Sequence, residues 1–183
     1  MIRKITSWHL ITFSISIILF TSSCSTTKHT STSSLATSGT ATSDFYKKYS
    51  KILGVELTGI EDEKFIETIA SWIGTPYVYG GESKTGTDCS GMVQTIYKDV
   101  YNVSLYRTAS DLVKNCNLIK KKDLKTGDLV FFKINNTKVS HVGIYIGADK
   151  FIHASSKGVM VSGLNETYYS KYFYSGGRIK DLK

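Results

Sequence analysis

One cysteine, Cys89, stands where a thiol could act as a nucleophile. It follows Asp88 and precedes the apolar pattern of an amphipathic helix, formed by Met92, Val93, Ile96, Tyr97 and Val100. Asp88 suits the N-cap position, because a short acceptor there can bond the first free amide groups of a helix. Cys89 would then lie in the first turn, where the helix dipole favours a negative charge. A helix start can lower a thiol pKa from ~8.5 to ~3.5–7.5, so the position predicts a thiolate.

The alternative for Cys89 is a buried structural cysteine, since cysteine is among the residues most often found in protein cores. That alternative explains an apolar setting. It does not explain an aspartate before the cysteine, Ser90 and Gly91 after it, and a Gly-Gly turn at 80–81. The polar surroundings therefore favour chemistry at this position.

A nucleophilic cysteine needs a base, and two of the four histidines are placed to provide one. The segments 140–147 and 150–155 predict two strands joined by a turn, and each carries one histidine. Antiparallel pairing about the turn puts His141 and His153 roughly opposite each other. A cysteine on a helix, a histidine on one strand and a polar orienting residue on the next is the layout of a cysteine-peptidase triad.

Several sequence blocks, in order along residues 62–180, resemble the NlpC-type family of cell-wall cysteine peptidases, especially its compact murein endopeptidases of the MepS type. The blocks are Gly-Thr-Pro-Tyr-Val-Tyr-Gly-Gly, Asp-Cys-Ser-Gly, Gly-Asp-Leu-Val-Phe-Phe, His-Val-Gly-Ile-Tyr-Ile-Gly and Phe-Ile-His-Ala-Ser. The resemblance implies that Cys89 is the nucleophile, His141 the base and His153 the orienting residue. It also matches Tyr77 to a tyrosine that lines the family's catalytic pocket.

The candidate substrate-binding residues are Tyr77, Asp88 and Ser90. Tyr77 precedes the nucleophile by a stretch with a Gly-Gly turn, which could fold its hydroxyl back to the pocket, and Asp88 is the nearest carboxylate for a substrate ammonium group. Packing for Tyr77 and helix capping alone for Asp88 remain the alternatives. The family often has Leu-Pro-Arg-Thr after the catalytic helix. Here residues 105–108 read Leu-Tyr-Arg-Thr, which leaves the shape of that pocket edge open.

The resemblance implies a peptidoglycan endopeptidase that needs no cofactor and acts on stem peptides or crosslinks. Amidase or acyl-transfer chemistry on the same scaffold stays open, and so does a non-catalytic cell-wall-binding lipoprotein, since fold does not fix function. A zinc site formed by Cys89, His141 and His153 is a further alternative. The chain lacks the usual close spacing of zinc ligands, which disfavours it, and we expect no metal.

The composition is that of a modest globular protein with a basic surface. The 183 residues carry a formal net charge of +8, and 41% of them are hydrophobic. The surplus of basic over acidic side chains predicts a solvated basic surface, or attraction to anionic polymers of the cell envelope. No nucleic-acid-binding motif accompanies the charge, so we expect no nucleic-acid partner, and we expect a monomer.

The N-terminus predicts an export signal at residues 1–23. A short basic start precedes an apolar run from Leu10 to Phe20, which is too short for a membrane span of ~20 residues. Cys24 directly follows and resembles a bacterial lipoprotein acylation site, although an ordinary signal followed by a chance cysteine remains the alternative. Residues 24–43 would be a lipidated Ser/Thr-rich tether. The expected location is the cell envelope, anchored by lipid to a membrane, with the periplasmic face of an outer membrane preferred.

Residues 44–183 are expected to form one peptidase domain of the α+β class. The pattern predicts helices at 44–53, 61–73 and 108–115 besides the catalytic helix, followed by an antiparallel meander of about five strands. The resemblance implies a papain-like arrangement, with the catalytic helix packed on the sheet. Cys116 is predicted to be a packed or partly exposed free thiol, with a regulatory disulfide as a minor alternative.

Overall fold

The computed structural model describes residues 35–180 and Leu182, with side chains from Thr42 onward. The predicted signal segment, Cys24 and most of the predicted tether lie outside this part of the chain. In the described part, no helix combines the length and the apolar character that crossing a membrane requires.

Five α-helices and eight strands make up the described fold. The helices are α1 Leu35–Leu53, α2 Glu63–Ser71, α3 Cys89–Tyr101, α4 Ala109–Leu112 and α5 Thr167–Tyr172. The strands are β1 Glu82–Ser83, β2 Gly86–Thr87, β3 Cys116–Ile119, β4 Leu129–Phe132, β5 His141–Gly147, β6 Lys150–Ser155, β7 Gly158–Gly163 and β8 Phe173–Ile179. Helices precede the main sheet along the chain, as expected for the α+β class.

The main sheet has six antiparallel strands in the order β3-β8-β4-β5-β6-β7. Only β4 to β7 form the predicted meander. The last strand returns to lie between β3 and β4, so the sheet is not a simple meander, and it has one strand more than the five or so predicted. The additional strand is the edge strand β3.

Helix α1 begins at Leu35, inside the segment predicted to be a tether, rather than at Asp44. Its last turns bury Tyr46, Tyr49 and Leu53. The second helix begins at Glu63 rather than at residue 61, because Asp62 is its N-cap and its carboxylate accepts a hydrogen bond of 2.7 Å from the Phe65 N–H group.

Helix α3 lies against the sheet with the apolar face that the sequence predicted. Met92, Val93, Ile96 and Tyr97 are all completely buried. They share one core with inward-facing strand residues and with the buried faces of α1 and α2. The helix ends at Asn102, whose backbone adopts the left-handed conformation with φ of 55°. Burial of this face fixes the helix on the sheet and therefore fixes the position of its first residue, Cys89.

Two elements were not predicted: the small hairpin β1–β2 and the edge strand β3. The first residue of β3 is Cys116, which is buried and not in a disulfide. Burial raises the pKa of its thiol to about 12. Cys116 is thus a packed free thiol, which is the first of the two alternatives drawn from the sequence.

Candidate active site

The segment before Cys89 folds back on itself and brings Tyr77 to the nucleophile. The Thr87 N–H donates to the Pro76 carbonyl at 3.0 Å, and the Val78 N–H donates to the Thr87 carbonyl at 2.9 Å. These bonds hold the backbone on either side of Tyr77 against Thr87, which lies two residues before Cys89. The Tyr77 side chain is 40% exposed. Burial, followed by the charges of Cys89 and Asp88, raises its pKa, and Tyr77 lines one groove together with these two residues.

The start of α3 is built around the Asp88 carboxylate. Its Oδ1 accepts a hydrogen bond of 2.7 Å from the Gly91 N–H, and its Oδ2 accepts one of 2.9 Å from the Gly80 N–H. A side chain at Gly91 would place its Cβ only 2.1 Å from the Gly81 carbonyl oxygen. The glycine after Cys-Ser is therefore required by the close approach of the Gly80–Gly81 turn to the helix.

Arg107 holds the same carboxylate from the other side and was not assigned a role from the sequence. Its two terminal nitrogens bond the two Asp88 oxygens at 3.0 and 2.7 Å, and one of them also donates to Ser90 Oγ at 2.9 Å. Its Nε pairs with Glu82 at 2.5 Å. Burial alone raises the pKa of Asp88, but Arg107 and the two amides outweigh it and lower the pKa. An Asp88 contact with a substrate ammonium group would have to compete with these bonds.

Cys89 is half-buried at the first turn of α3. Burial raises the pKa of its thiol, and the charge of Asp88 adds to the rise. The N–H groups of Val142, Ser90 and Cys89 itself point to the sulfur and lower its pKa, but by less than burial and Asp88 raise it. The prediction of a lowered pKa was wrong, because it counted the helix start and not the desolvation of the thiol. The resting group is a thiol that needs a base.

The rings of His141 and His153 contact each other, and the residue after His141, Val142, directs its N–H group to the Cys89 sulfur. His141 Nε2 lies 3.0 Å from His153 Nδ1, and the ring planes are nearly perpendicular at 89°. The backbones are not directly opposite, because Ile144 pairs with Ile152 and His141 therefore lies diagonal to His153. Gly143 makes the diagonal contact possible: a Cβ there would lie 3.1 Å from the His153 Cβ and 2.6 Å from the Phe151 ring.

Both imidazoles are neutral at pH 7. Burial lowers the pKa of His141 to about 4, and burial with the neighbouring His141 lowers that of His153 to about 3. Aromatic rings account for the apolar surroundings, since Phe151 stacks on His153 and Phe132 lies beside His141. His141 uses Nε2 for His153, so Nδ1 is the nitrogen left for the Cys89 proton. A neutral imidazole next to a thiol can serve as its general base.

Behind the histidine pair lie two hydroxyl groups that the sequence did not predict. His153 Nε2 is 3.1 Å from Ser162 Oγ on β7 and 3.2 Å from Tyr169 Oη on α5. His153 is completely buried, and Ser162 is 5% exposed. From the sequence, the alternation of inward-facing side chains along β7 indicates the role of Ser162 only weakly. For Tyr169 we see no signal in the sequence, because α5 only meets the sheet in the folded chain.

Two shallow grooves lie at the candidate site, and Tyr77 lines both. The first has a volume of about 440 Å³, with Cys89, Arg107 and Ser140 among its lining residues. The second, of about 390 Å³, is lined in part by His141, His153 and Ala154. Tyr77 therefore stands between the groove of the cysteine and the groove of the two histidines.

The facing nitrogens disfavour the zinc alternative. His141 Nε2 and His153 Nδ1 are at hydrogen-bond distance from each other, which leaves no space between them for an ion with Zn–N distances of ~2.0–2.1 Å. Within the described residues, no group of three or more His, Cys, Asp or Glu side chains is arranged to hold a metal.

The motif blocks, the helix-borne cysteine and the histidine pair fall inside a stretch that a known family model matches. The NlpC/P60 family model matches residues 74–178, which is more than half of the chain. The chain belongs to the NlpC/P60 family. The papain-like α+β fold that the resemblance implied is thereby confirmed, apart from the strand count.

Curated NlpC/P60 relatives match the same stretch. One, a "Probable endopeptidase" of Haemophilus influenzae, is 46% identical over 110 residues, covering 59% of this chain and 68% of the relative. Another, the "Murein DD-endopeptidase MepS/Murein LD-carboxypeptidase" of Escherichia coli K12, is 38% identical over 117 residues, covering 63% of this chain and 62% of the relative. The match thus spans about two thirds of these relatives.

A solved NlpC/P60 structure has a similar fold. It comes from Staphylococcus aureus and is described as similar to lipoprotein of the NLP/P60 family. The two chains superpose with a TM-score of 0.60 and 31% identity, over 66% of this chain and 42% of the other. The shared part is therefore the NlpC/P60 domain.

Proposed function

We propose that this protein is a peptidoglycan hydrolase, a cysteine peptidase that cleaves an amide bond in a stem peptide or crosslink. The observations that carry the proposal are the half-buried Cys89 at the start of α3, which lines one groove, and the neutral His141–His153 pair, which lines a second groove. Tyr77 lines both grooves. The endopeptidase names of the curated relatives support the substrate class.

In the proposed reaction, the Cys89 sulfur attacks the scissile carbonyl carbon while its proton moves to His141 Nδ1. The carbonyl electron pair moves to the oxygen, and the N–H groups of Cys89 and Ser90 at the helix start are the nearest backbone donors for that oxyanion. His141 then returns the proton to the leaving amine. Water hydrolyses the thioester, with His141 again acting as the base.

Substrate recognition is proposed to use Tyr77 and Ser90 at the nucleophile, with Asp88 contributing through Arg107. Stem peptides carry few large apolar groups, so a few polar contacts must position them. Ser90 Oγ already accepts a hydrogen bond from Arg107, which orients it next to the groove. A Tyr77→Phe variant should lower kcat/KM by about 5- to 10-fold with little loss of stability, because the side chain is 40% exposed and the hydrogen bond lost to substrate is worth ~1 kcal/mol.

The direct test compares the release of soluble fragments from purified cell walls by wild type, Cys89→Ser and His141→Ala. Both variants should be inactive while keeping the wild-type melting temperature. Cys116→Ala is the matched control, since it removes the other described thiol and leaves the groove untouched. Wild-type rates from Cys89→Ser would overturn the nucleophile assignment. Wall binding without any hydrolysis by wild type would favour the non-catalytic alternative.

The lipid anchor at Cys24 is proposed on the sequence alone. With it, the domain would be tethered in the cell envelope as a monomer on the periplasmic face of an outer membrane. The full chain, expressed in a Gram-negative host, should partition into detergent, and Cys24→Ala should move it to the aqueous phase or stall its processing. Wild-type protein found entirely in the aqueous phase would overturn this proposal.

A further inference from the structure

The proton between His141 and His153 can belong to either ring. Two neutral imidazoles share one proton across the 3.0 Å contact between His141 Nε2 and His153 Nδ1. If His141 carries that proton, its Nδ1 is free to accept the thiol proton. If His153 carries it, His141 Nδ1 is already protonated and cannot act as the base. Only the first arrangement supports thiol attack.

The productive arrangement has a consequence at the far side of His153. Its Nδ1 must be the acceptor, so its Nε2 must carry a proton. The ring is completely buried, so that N–H needs an acceptor from the protein. Two hydroxyl oxygens lie within range, Ser162 Oγ at 3.1 Å and Tyr169 Oη at 3.2 Å. The Phe151 ring stacks on the face of the imidazole, with 4.7 Å between the two ring centroids. Among the described residues, the two hydroxyls are therefore the polar groups beside His153 Nε2.

We propose that Ser162 and Tyr169 are positioning residues that accept the Nε2 proton of His153, and so hold the histidine pair in the arrangement that thiol attack requires. This inference rests on the proposed function, since it explains how the base of that reaction is kept available. During attack, the thiol proton moves to His141 Nδ1 and His141 becomes an imidazolium. Its Nε2–H must then donate to His153 Nδ1, so the need for an acceptor at His153 Nε2 is greatest at that moment.

The two hydroxyls differ in their exposure. Ser162 is 5% exposed, whereas Tyr169 is half-buried. Ser162 is therefore an acceptor shielded from solvent. An Asp or Asn partner would orient His141 directly, by charge or by a fixed carbonyl. A histidine partner can adopt either tautomer, and the two hydroxyls support the productive one because each can accept the Nε2 proton.

The first test is nitrogen-15 NMR of the full chain at pH 7, with labelled histidine. We expect both rings to be protonated at Nε2 and bare at Nδ1, because His141 donates from Nε2 to His153 Nδ1 and keeps its own Nδ1 free for the thiol proton. Protonation of His153 at Nδ1 in the wild type would overturn the inference. This measurement needs no substrate, so it stands whether or not the protein hydrolyses cell wall.

The second test measures kcat and KM for Ser162→Ala, Tyr169→Phe and the double variant on the same wall fragments. The double variant should lose about 10- to 100-fold in kcat, because a buried N–H is left without an acceptor. KM should stay near the wild-type value for Ser162→Ala, since Ser162 is buried. Each single variant should lose less than the double, because one acceptor remains.

A matched control separates positioning from structural support. Tyr172→Phe removes a hydroxyl from the same helix, one that donates to Asn135 at 2.6 Å, and should keep the wild-type kcat and histidine spectrum. A double variant with unchanged kcat and an unchanged His153 signal would overturn the inference while leaving the proposed hydrolase intact. An inactive wild type with inactive Cys89→Ser would count against the proposed function alone.

Discussion

Arg107 organises the start of the catalytic helix from a separate segment of the chain. Asp88 is only 7% exposed, and its charge is retained because a planar guanidinium bonds both carboxylate oxygens at once. The same guanidinium orients Ser90 and bonds Glu82 on the small hairpin. One side chain thus links the helix cap, the hairpin and the rim of the groove.

Replacing Arg107 with lysine should therefore impair both stability and catalysis. A lysine carries the charge but cannot bond two oxygens in parallel while donating to Ser90. We expect kcat/KM to fall by about tenfold and the free energy of unfolding to fall by ~1–2 kcal/mol. Arg178→Lys is the matched control, because Arg178 also bonds both oxygens of an aspartate, Asp128, through Nε and Nη2 and does so away from the groove. Arg178→Lys should lower the free energy of unfolding and leave kcat/KM unchanged. An equal loss of kcat/KM from both variants would contradict the role given to Arg107.

The histidine environment predicts how activity depends on pH. The pKa of His141 in the folded protein is lowered to about 4 by burial, so the base remains unprotonated well below neutral pH. kcat/KM should hold steady from pH 7 down to about 5 and decline with a midpoint near 4. Rates measured after brief exposure, with recovery at pH 7 as the control for unfolding, give this profile. A midpoint near 6.5 would indicate a solvated imidazole and contradict the structure.

At the scale of elements, the contact between β5 and β6 depends on the absence of a side chain at position 143. A Cβ there would lie 2.8 Å from the Ile152 carbonyl oxygen as well as against the Phe151 ring, and neither can move without shifting β6. His153 is on the same strand. The glycine of His-Val-Gly therefore serves the histidine pair as well as the sheet.

Gly143→Ala should accordingly lower stability and displace His153 from His141. Overpacking of a filled core typically costs ~1–3 kcal/mol, and we expect a loss in that range together with at least a tenfold lower kcat. Gly163→Ala on β7 is the control, since its Cβ would lie no closer than 3.4 Å to its neighbours. Urea unfolding and wall-hydrolysis assays on both variants decide the matter, and a stable, fully active Gly143→Ala would refute the steric argument.

The elements that the sequence predicted are those with a strong local signal. Helix α3 has both an N-cap and a continuous apolar face, and the two histidine strands flank a clear turn. Strand β3 is four residues long with two exposed positions, and the small hairpin has two residues a side, so neither has a readable period. The Cys89, His141 and His153 positions were recognisable from motifs. Ser162 and Tyr169 were not, because their contacts with His153 exist only once β7 and α5 are packed.

At the scale of the whole molecule, the two buried histidines make the free energy of unfolding depend on pH. In the unfolded chain each would titrate near 6.5, whereas in the folded protein the pKa values are lowered to about 4 and about 3. The unfolded state thus takes up more protons as the pH falls, and the stabilisation present above pH 6.5 is lost progressively through pH 4. The lowered carboxyl pKa values of Glu61 and Asp88 act at lower pH, where these groups begin to protonate.

We therefore expect the free energy of unfolding to decrease steadily between pH 6.5 and 4.5. Urea unfolding of the full chain at half-unit steps measures this slope. His153→Gln removes one of the two groups and should flatten the curve, even though it lowers stability at pH 7. A wild-type stability that is constant or rises over this interval would contradict the burial of the two rings.

The place of β8 in the sheet bears on when the protein becomes active during its synthesis. Cys89, His141 and His153 all leave the ribosome before Phe173, the first residue of β8. Yet β4, the strand that supports β5 and its histidine, keeps an open edge until β8 arrives to pair with it. A growing chain therefore carries all three candidate catalytic residues while the sheet that aligns them is unfinished, and pairings this distant in sequence form slowly. The proposed hydrolytic activity should therefore appear only once β8 has paired with β4.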